Sequence, residues 1–299
     1  MHIQHFARRA WIATVLALAT AAGNVHADPT RFHGMEVEVV GTGRPVLMIP
    51  GLNSGAGTWA DTCRELRPEV QCHIVQLPGF AGTPRVDEAA FLVPMRDRLL
   101  AYIADRRLNR PDVVGHSLGG VLALQMAIER PQAVGRLVIV DSLPFMAAIR
   151  DPSMTADKAR PMATQMAAGM RAADDASYRT QAQAALASMT RDAARTAQLK
   201  DWSVASDRES TTQAMFDLMT TDLRADLARV QSPTLVLGAW SAFKPYGATL
   251  DSTRAIFQSQ FAALPGVRIE MSAEGYHFLM WDDPQWLATH VRGFLLDAK

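Results

Sequence analysis

A serine between glycines stands near the middle of this 299-residue chain. Residues 115–120 read GHSLGG and lie between an apolar run typical of a strand and an apolar run typical of a helix. At a sharp strand-to-helix turn the serine backbone is strained and its hydroxyl projects outward, which requires small neighbours. The pattern G-x-S-x-G therefore predicts Ser117 as a nucleophile. A tight glycine turn without chemistry is the alternative.

A nucleophilic serine needs a base, and histidine serves most often. His277 follows the last predicted strand, where a loop can lay its imidazole over the serine. His290 falls inside the closing helix, and His116 belongs to the turn itself, with its side chain directed away from the serine. His33 and His73 come too early in the chain to be favoured. We therefore predict His277 as the base.

Acyl transfer also needs hydrogen-bond donors for the negative charge that develops on the carbonyl oxygen. Residues 48–52, MIPGL, close an earlier predicted strand, and Gly51 lets the backbone turn so that the Leu52 N–H faces the serine. The Leu118 N–H is the second predicted donor, because the first amides of a helix favour negative charge. An ordinary Pro-Gly turn at the strand end is the alternative for the first donor.

Strands and helices alternate along most of the chain. Apolar runs and turn residues predict strands at residues 35–40, 45–49, 73–77, 112–115, 137–140, 233–238 and 267–271. Helical spacing predicts helices at residues 58–66, 88–107, 118–129 and 284–296. This alternation is typical of an α/β fold with a parallel sheet covered by helices on both faces.

The alternation stops from about residue 144 to residue 229. This stretch is rich in Ala, Met, Gln and Arg and contains no strand-like run, so we interpret it as a helical insertion that covers the site as a lid. Methionines in or beside it could line an adaptable apolar pocket, although ordinary packing explains most of them. They are Met146, Met154, Met162, Met166, Met170, Met189, Met215 and Met219.

Composition narrows the class of protein. Hydrophobic residues make up 48% of the chain and charged residues 20%, which is typical of a folded domain and not of a disordered chain. The formal net charge is 0, and no block of Lys or Arg appears. Nothing in the sequence therefore indicates a nucleic-acid partner.

Cys63 and Cys72 are the two cysteines of the chain. They flank Pro68, between a predicted helix end and a strand start, where a turn could bring them together. We predict a disulfide, which an oxidising compartment permits; two buried small apolar side chains are the alternative. Two cysteines beside His73 lack the ligand set of a metal site, so no metal is expected.

Residues 1–27 are predicted to be a cleaved signal peptide. Arg8 and Arg9 form a positive region, residues 11–22 form a run of apolar residues and threonine, and small residues precede the expected cut. The run is shorter than the ~20 residues of a membrane-spanning helix. We therefore expect residues 28–299 to form the mature domain, periplasmic or secreted and without a stable membrane anchor.

With these motifs in place, the chain resembles the α/β-hydrolase superfamily, specifically small, lid-bearing, esterase-like serine hydrolases. The resemblance implies an eight-stranded, mostly parallel sheet. It also implies Ser117 as nucleophile, His277 as base and the Leu52 and Leu118 amides as oxyanion hole. The matching segments cover nearly all of the chain after residue 27: IPGL at 49–52, LPGF at 77–80, GHSLGG at 115–120, PTLVLG at 233–238 and HFLMWDDP at 277–284.

The triad acid departs from the family pattern. An Asp commonly follows the strand PTLVLG, but residues 239–245 are AWSAFKP, with no acid. Some members use the end of the preceding strand, where this chain has Asp141, so Asp141 is the first choice. An acid there can also merely cap the next turn. Asp251, Glu274, Asp282 and Asp283 are the alternatives, although the last two are better suited to cap the final helix.

The expected reaction is hydrolysis of an ester-type bond in a small, partly apolar molecule through an acyl-enzyme, without a cofactor. Thioester, lactone or peptide hydrolysis and cofactor-free perhydrolysis would use the same triad. Dehalogenases and epoxide hydrolases with an Asp nucleophile are disfavoured, because the turn carries Ser117. A non-catalytic binding protein of the same fold is the remaining alternative, and the lack of an acid at the usual position after residue 238 supports it. The sequence predicts no oligomeric state.

Overall fold

The computed structural model describes residues 29–296, which contain one eight-stranded sheet in the order β1-β2-β4-β3-β5-β6-β7-β8. The strands are β1 (Thr30–Phe32), β2 (Met35–Val40), β3 (Arg44–Ile49), β4 (Val70–Gln76), β5 (Asp112–His116), β6 (Leu137–Val140), β7 (Thr234–Gly238) and β8 (Arg268–Met271). β1 with β2 and β2 with β4 are antiparallel pairs, and the other pairs are parallel. The predicted eight-stranded, mostly parallel α/β sheet is confirmed.

Helices cover the sheet. They are α1 (Ala60–Leu66), α2 (Leu92–Asp105), α3 (Leu118–Glu129), α4 (Ala156–Ala172), α5 (Asp175–Leu186), α6 (Ala193–Ala205), α7 (Arg208–Thr220), α8 (Leu250–Gln260), α9 (Leu279–Asp282) and α10 (Pro284–Leu296). Short 3₁₀ turns occur at Ala56–Trp59, Met146–Ala148, Asp226–Arg229 and Ser241–Tyr246. None of the helices within residues 29–296 has the length and apolar character needed to cross a bilayer.

Each face of the sheet has its own apolar core. In β3, Leu47 and Ile49 belong to one core, which α2, α3 and α8 complete, while Val46 and Met48 belong to the other, which α1 and α10 complete. Successive strand residues point to opposite faces, so a strand buried on both faces reads as a continuous apolar run. This is why the parallel strands were recognisable from sequence.

Residues 144–229 form the predicted helical stretch between β6 and β7. They contain α4 to α7 and no strand. α4 packs against α7. Ala159, Ala163 and Ala167 of α4 are buried, and their spacing of four residues places them on one helix face. Small side chains on that face let the two helices approach closely.

Two of the predicted boundaries lie three or four residues away from the observed ones. The short strand β1 was not predicted. β4 begins at Val70 and not at residue 73, because Val70 pairs with Arg44 of β3. α2 begins at Leu92 and not at residue 88, because its first amides are capped by a side chain from the helical insertion. Asp217 of α7 accepts hydrogen bonds from the amides of Phe91, at 2.7 Å, and Leu92, at 2.9 Å.

Cys63 and Cys72 form a disulfide, which joins α1 to β4. Both side chains are buried in the core beneath α1 and α10. The bridge therefore ties α1 to β4 across the short segment that connects them. The predicted signal peptide at residues 1–27 lies outside the described residues.

Candidate active site

Ser117 lies between β5 and α3 with φ 53° and ψ −120°, a backbone conformation rarely adopted by residues other than glycine. The surrounding glycines are required by close backbone approach. A Cβ added at Gly115 would collide with the backbone of Gly119, and one added at Gly119 would collide with the backbone of Ile49. The sequence pattern thus encodes a tightly packed, strained strand-to-helix turn, as a nucleophile needs.

The end of β3 runs beside this turn. A Cβ added at Gly51 would lie 3.2 Å from Cβ of Ser117 and 3.0 Å from Nδ1 of His116. Gly51 therefore permits the close approach of the segment that carries Leu52. The Leu118 amide is in the first turn of α3, where an amide has no acceptor within its own helix. The two predicted oxyanion donors thus belong to neighbouring segments at the serine.

His277 meets Asp141 at this edge of the sheet. The imidazole Nδ1 lies 2.6 Å from Oδ2 of Asp141. The other carboxylate oxygen, Oδ1, accepts a 2.8 Å hydrogen bond from the Ala239 amide, and the Asp141 amide donates to the Leu237 carbonyl at 2.7 Å. β7 therefore fixes the backbone of Asp141, and the residue directly after β7 fixes its carboxylate. With Nδ1–H donating to Asp141, Nε2 keeps the lone pair that a base needs.

Three of the four alternative acids have other partners. Glu274 is exposed and lies 3.4 Å from Arg191. Asp251 is exposed in the first turn of α8. Asp282 accepts a hydrogen bond from Thr190 of the insertion, and Oδ2 of Asp283 accepts one from Ser272 at 2.7 Å.

His116 supports the segment that carries His277. Its Nε2 lies 3.0 Å from the His277 carbonyl oxygen, and the two ring centroids are 4.5 Å apart. Burial, followed by the nearby His277, holds the pKa of His116 well below its ordinary value, although the hydrogen bond to the carbonyl opposes this. The imidazole is therefore neutral and donates from Nε2. Sequence reasoning gave this residue no role, because its partner lies 161 residues away.

The helical insertion contacts the segment after Leu52. Asn53, with φ 54°, has its Oδ1 2.8 Å from the Thr211 hydroxyl of α7, which donates to it. A Cβ added at Gly55 would lie 2.8 Å from the Trp202 ring of α6. The insertion therefore packs directly on residues 51–55, which we call the oxyanion segment after the predicted donor Leu52. No group of three or more His, Cys, Asp or Glu within residues 29–296 could hold a metal ion.

Among known proteins, the chain is similar to the pimeloyl-[acyl-carrier protein] methyl ester esterase of Nitrosomonas europaea. The two are 31% identical over 110 residues, which is 37% of this chain and 42% of that protein. The chain spans less than half the length of the curated relatives it matches, between 41% and 47%.

Solved structures share the fold. A hydrolase from Pseudomonas aeruginosa PA01 superposes with a TM-score of 0.74 at 17% identity, covering 88% of this chain and 94% of that one. The enol-lactonase from Burkholderia xenovorans LB400 superposes with a TM-score of 0.73 at 15% identity, covering 90% and 100%. The model of the alpha/beta hydrolase family matches residues 46–290 of this chain. The chain therefore belongs to the alpha/beta hydrolase family.

Proposed function

We propose that the chain is a serine hydrolase that cleaves an ester-type bond of a small, partly apolar substrate through an acyl-enzyme. One observation carries the proposal: the imidazole of His277 is held 2.6 Å from the Asp141 carboxylate, at the sheet edge where Ser117 adopts its strained turn. A carboxylate, an imidazole and a strained serine at one edge are the parts of a nucleophilic triad.

The reaction follows from these parts. Nε2 of His277 accepts the Ser117 proton while Oγ attacks the ester carbonyl carbon, and Asp141 stabilises the imidazolium. The amides of Leu52 and Leu118 donate to the oxyanion. The imidazolium then protonates the leaving alcohol. His277 next deprotonates a water that attacks the acyl-enzyme, and it returns that proton to Oγ of Ser117 as the acid product leaves.

The named activity of the Nitrosomonas europaea relative, methyl ester hydrolysis, supports an ester as substrate. The contacts of Trp202 and Thr211 with the oxyanion segment support the insertion as a cover over the site. The same mechanism also serves the hydrolysis of thioesters, lactones and peptides and the formation of peracids. A panel of short- and long-chain 4-nitrophenyl esters, with a thioester, a lactone and a peptide, separates these substrates by kcat/KM.

We also propose that the chain acts outside the cytoplasm, as a periplasmic or secreted protein. The Cys63–Cys72 disulfide supports this location, because disulfides persist in oxidising compartments. Fractionation of producing cells, with determination of the N-terminus of the mature protein, tests it. A mature N-terminus near residue 28 in the exported fraction is expected, and an intact N-terminus in the cytoplasm contradicts it.

Ester hydrolysis by two variants tests the mechanism. Ser117→Ala is expected to abolish the acyl-enzyme, and Asp141→Asn to lower kcat by a factor on the order of 10⁴, because the imidazole loses its orienting anion. Asp251→Asn is the matched control and should keep wild-type kcat, since Asp251 is exposed in α8. Full activity in Asp141→Asn contradicts the assigned acid, and an inactive wild-type protein favours a binding role.

A further inference from the structure

The turn between α5 and α6 is bonded to the loop that carries His277. We call residues 272–282 the base loop. Asp282, at its end, accepts a 2.6 Å hydrogen bond from the hydroxyl of Thr190 and a 3.1 Å bond from the amide of Arg191, both on Oδ1. Thr190 is buried. The carboxylate of Asp282 therefore fastens the base loop to the helical insertion.

The same carboxylate also holds the base loop to itself. Its Oδ2 accepts a 3.0 Å hydrogen bond from the amide of Tyr276, the residue directly before His277. The amide directly after His277, that of Phe278, donates to the Met189 carbonyl of the insertion at 3.1 Å. Both amides that flank the imidazole-bearing residue are thus held, one by Asp282 and the other by the turn that Asp282 fastens.

The backbone carbonyl of Asp282 completes the junction. It accepts a 2.8 Å hydrogen bond from Nη2 of Arg191, whose Nη1 lies 3.4 Å from Glu274 at the other end of the base loop. Hydrogen bonds to a charged carboxylate are stronger than those between neutral groups. Asp282 therefore joins two segments that are 91 residues apart in the chain.

We propose that Asp282 is a positioning residue, which sets the place of the His277 imidazole by tying the base loop to the helical insertion. The proposal rests on the proposed function, because it concerns the base of that reaction. Asp282 acts through the peptide of Tyr276 and touches no reacting group. A displacement of about 1 Å at a catalytic group can lower the rate by about 100-fold. The insertion then supports the base as well as covering the site.

Asp282→Asn and Thr190→Val test this. Asparagine keeps one oxygen for Thr190 and Arg191 but presents an amide group to the Tyr276 N–H. We expect kcat for an ester to fall roughly 10- to 100-fold, with KM within about 3-fold, because binding is kept and the base is displaced. Thr190→Val removes one donor and should lower kcat by about 3- to 10-fold. The double variant should have about the same kcat as Asp282→Asn alone, because both substitutions break the same connection between the base loop and the insertion.

Glu209→Gln is the matched control. This carboxylate accepts two hydrogen bonds from Arg171, at 2.6 and 2.8 Å, within the insertion and away from the base loop. It should keep wild-type kcat and KM. Tm and active-site titration with a fluorophosphonate accompany each assay, so that the rate is expressed per reactive serine.

Three results separate the possibilities. A lower kcat per reactive serine in both variants, with Tm close to wild type, supports the positioning role. Wild-type kcat per reactive serine in folded Asp282→Asn overturns it. A loss of total activity that is fully explained by a smaller fraction of folded protein overturns it as well. Should Asp282→Asn not fold, Thr190→Val decides by the same criterion. A wild-type protein without ester hydrolysis or labelling overturns the proposed function first, and this inference with it.

Discussion

At the scale of single residues, His116 works as a neutral donor to the base loop. His116→Phe keeps a ring of similar size against Phe278, whose centroid lies 4.6 Å away, but removes the Nε2–H that donates to the His277 carbonyl. We expect kcat to fall about 10-fold, because the imidazole is held less accurately. The free energy of unfolding should fall by about 1 kcal/mol, as for one lost hydrogen bond.

His290→Phe is the control for this change. His290 also bonds a carbonyl, that of Trp286 at 2.8 Å, and packs on an aromatic ring, but within α10. Ester kinetics and urea unfolding of both variants make the comparison. Equal kcat in the two variants would contradict a role for His116 in the site.

Residue patterns predicted only part of the candidate site. The glycine spacing around Ser117 pointed to it as the candidate nucleophile, because close backbone approach leaves a mark in the sequence. His277 followed from its position after the last strand. The acid needed knowledge of related proteins, since many carboxylates end strands. The contacts of His116 and Asp282 could not be predicted, because they join segments 161 and 91 residues apart.

At the scale of elements, the start of α2 depends on the helical insertion. Asp217→Ala removes the acceptor of the Phe91 and Leu92 amides, at the N-terminus of the helix. We expect a loss of about 1–2 kcal/mol in the free energy of unfolding, as for other lost helix caps. Urea denaturation measures it. Asp87→Ala, at an exposed side chain paired with Arg85, should change stability by less than about 0.5 kcal/mol.

A loss in Asp217→Ala no larger than in the control would show that the cap is replaced by water. The same contact explains why the predicted boundary of α2 was wrong. Helical spacing reports which face of a helix is buried, but the cap comes from a residue 125 positions away. The strands of the parallel sheet were better predicted, because burial on both faces leaves a continuous apolar run.

At the scale of the whole molecule, buried histidines should make stability depend on pH. His73 in β4 is buried, with Nδ1 2.9 Å from the Tyr102 hydroxyl and Nε2 3.1 Å from Oε1 of Gln71. Burial, and then the charge of Arg106, lower the pKa of His73 from 6.5 to about 4. The neutral ring is the form that fits the fold.

A lowered histidine pKa means that the unfolded chain takes up the proton first as pH falls. The contribution of His73 to stability should therefore be fully present above pH 6.5 and decrease from there toward pH 4, by about 2 kcal/mol between pH 7 and pH 5. Urea denaturation at both pH values measures this. His73→Gln should have a shallower pH dependence, while a slope equal to that of wild type would contradict the prediction.

Activation of Ser117 by the imidazole that Asp141 holds is the central claim. Reaction with a fluorophosphonate, followed by peptide mass spectrometry, measures this most directly. We predict one adduct per chain on Ser117 in the wild-type protein, formed slower by a factor on the order of 10³–10⁴ in His277→Gln and Asp141→Asn. No adduct, an adduct on another residue, or equal rates in wild type and His277→Gln would contradict the account.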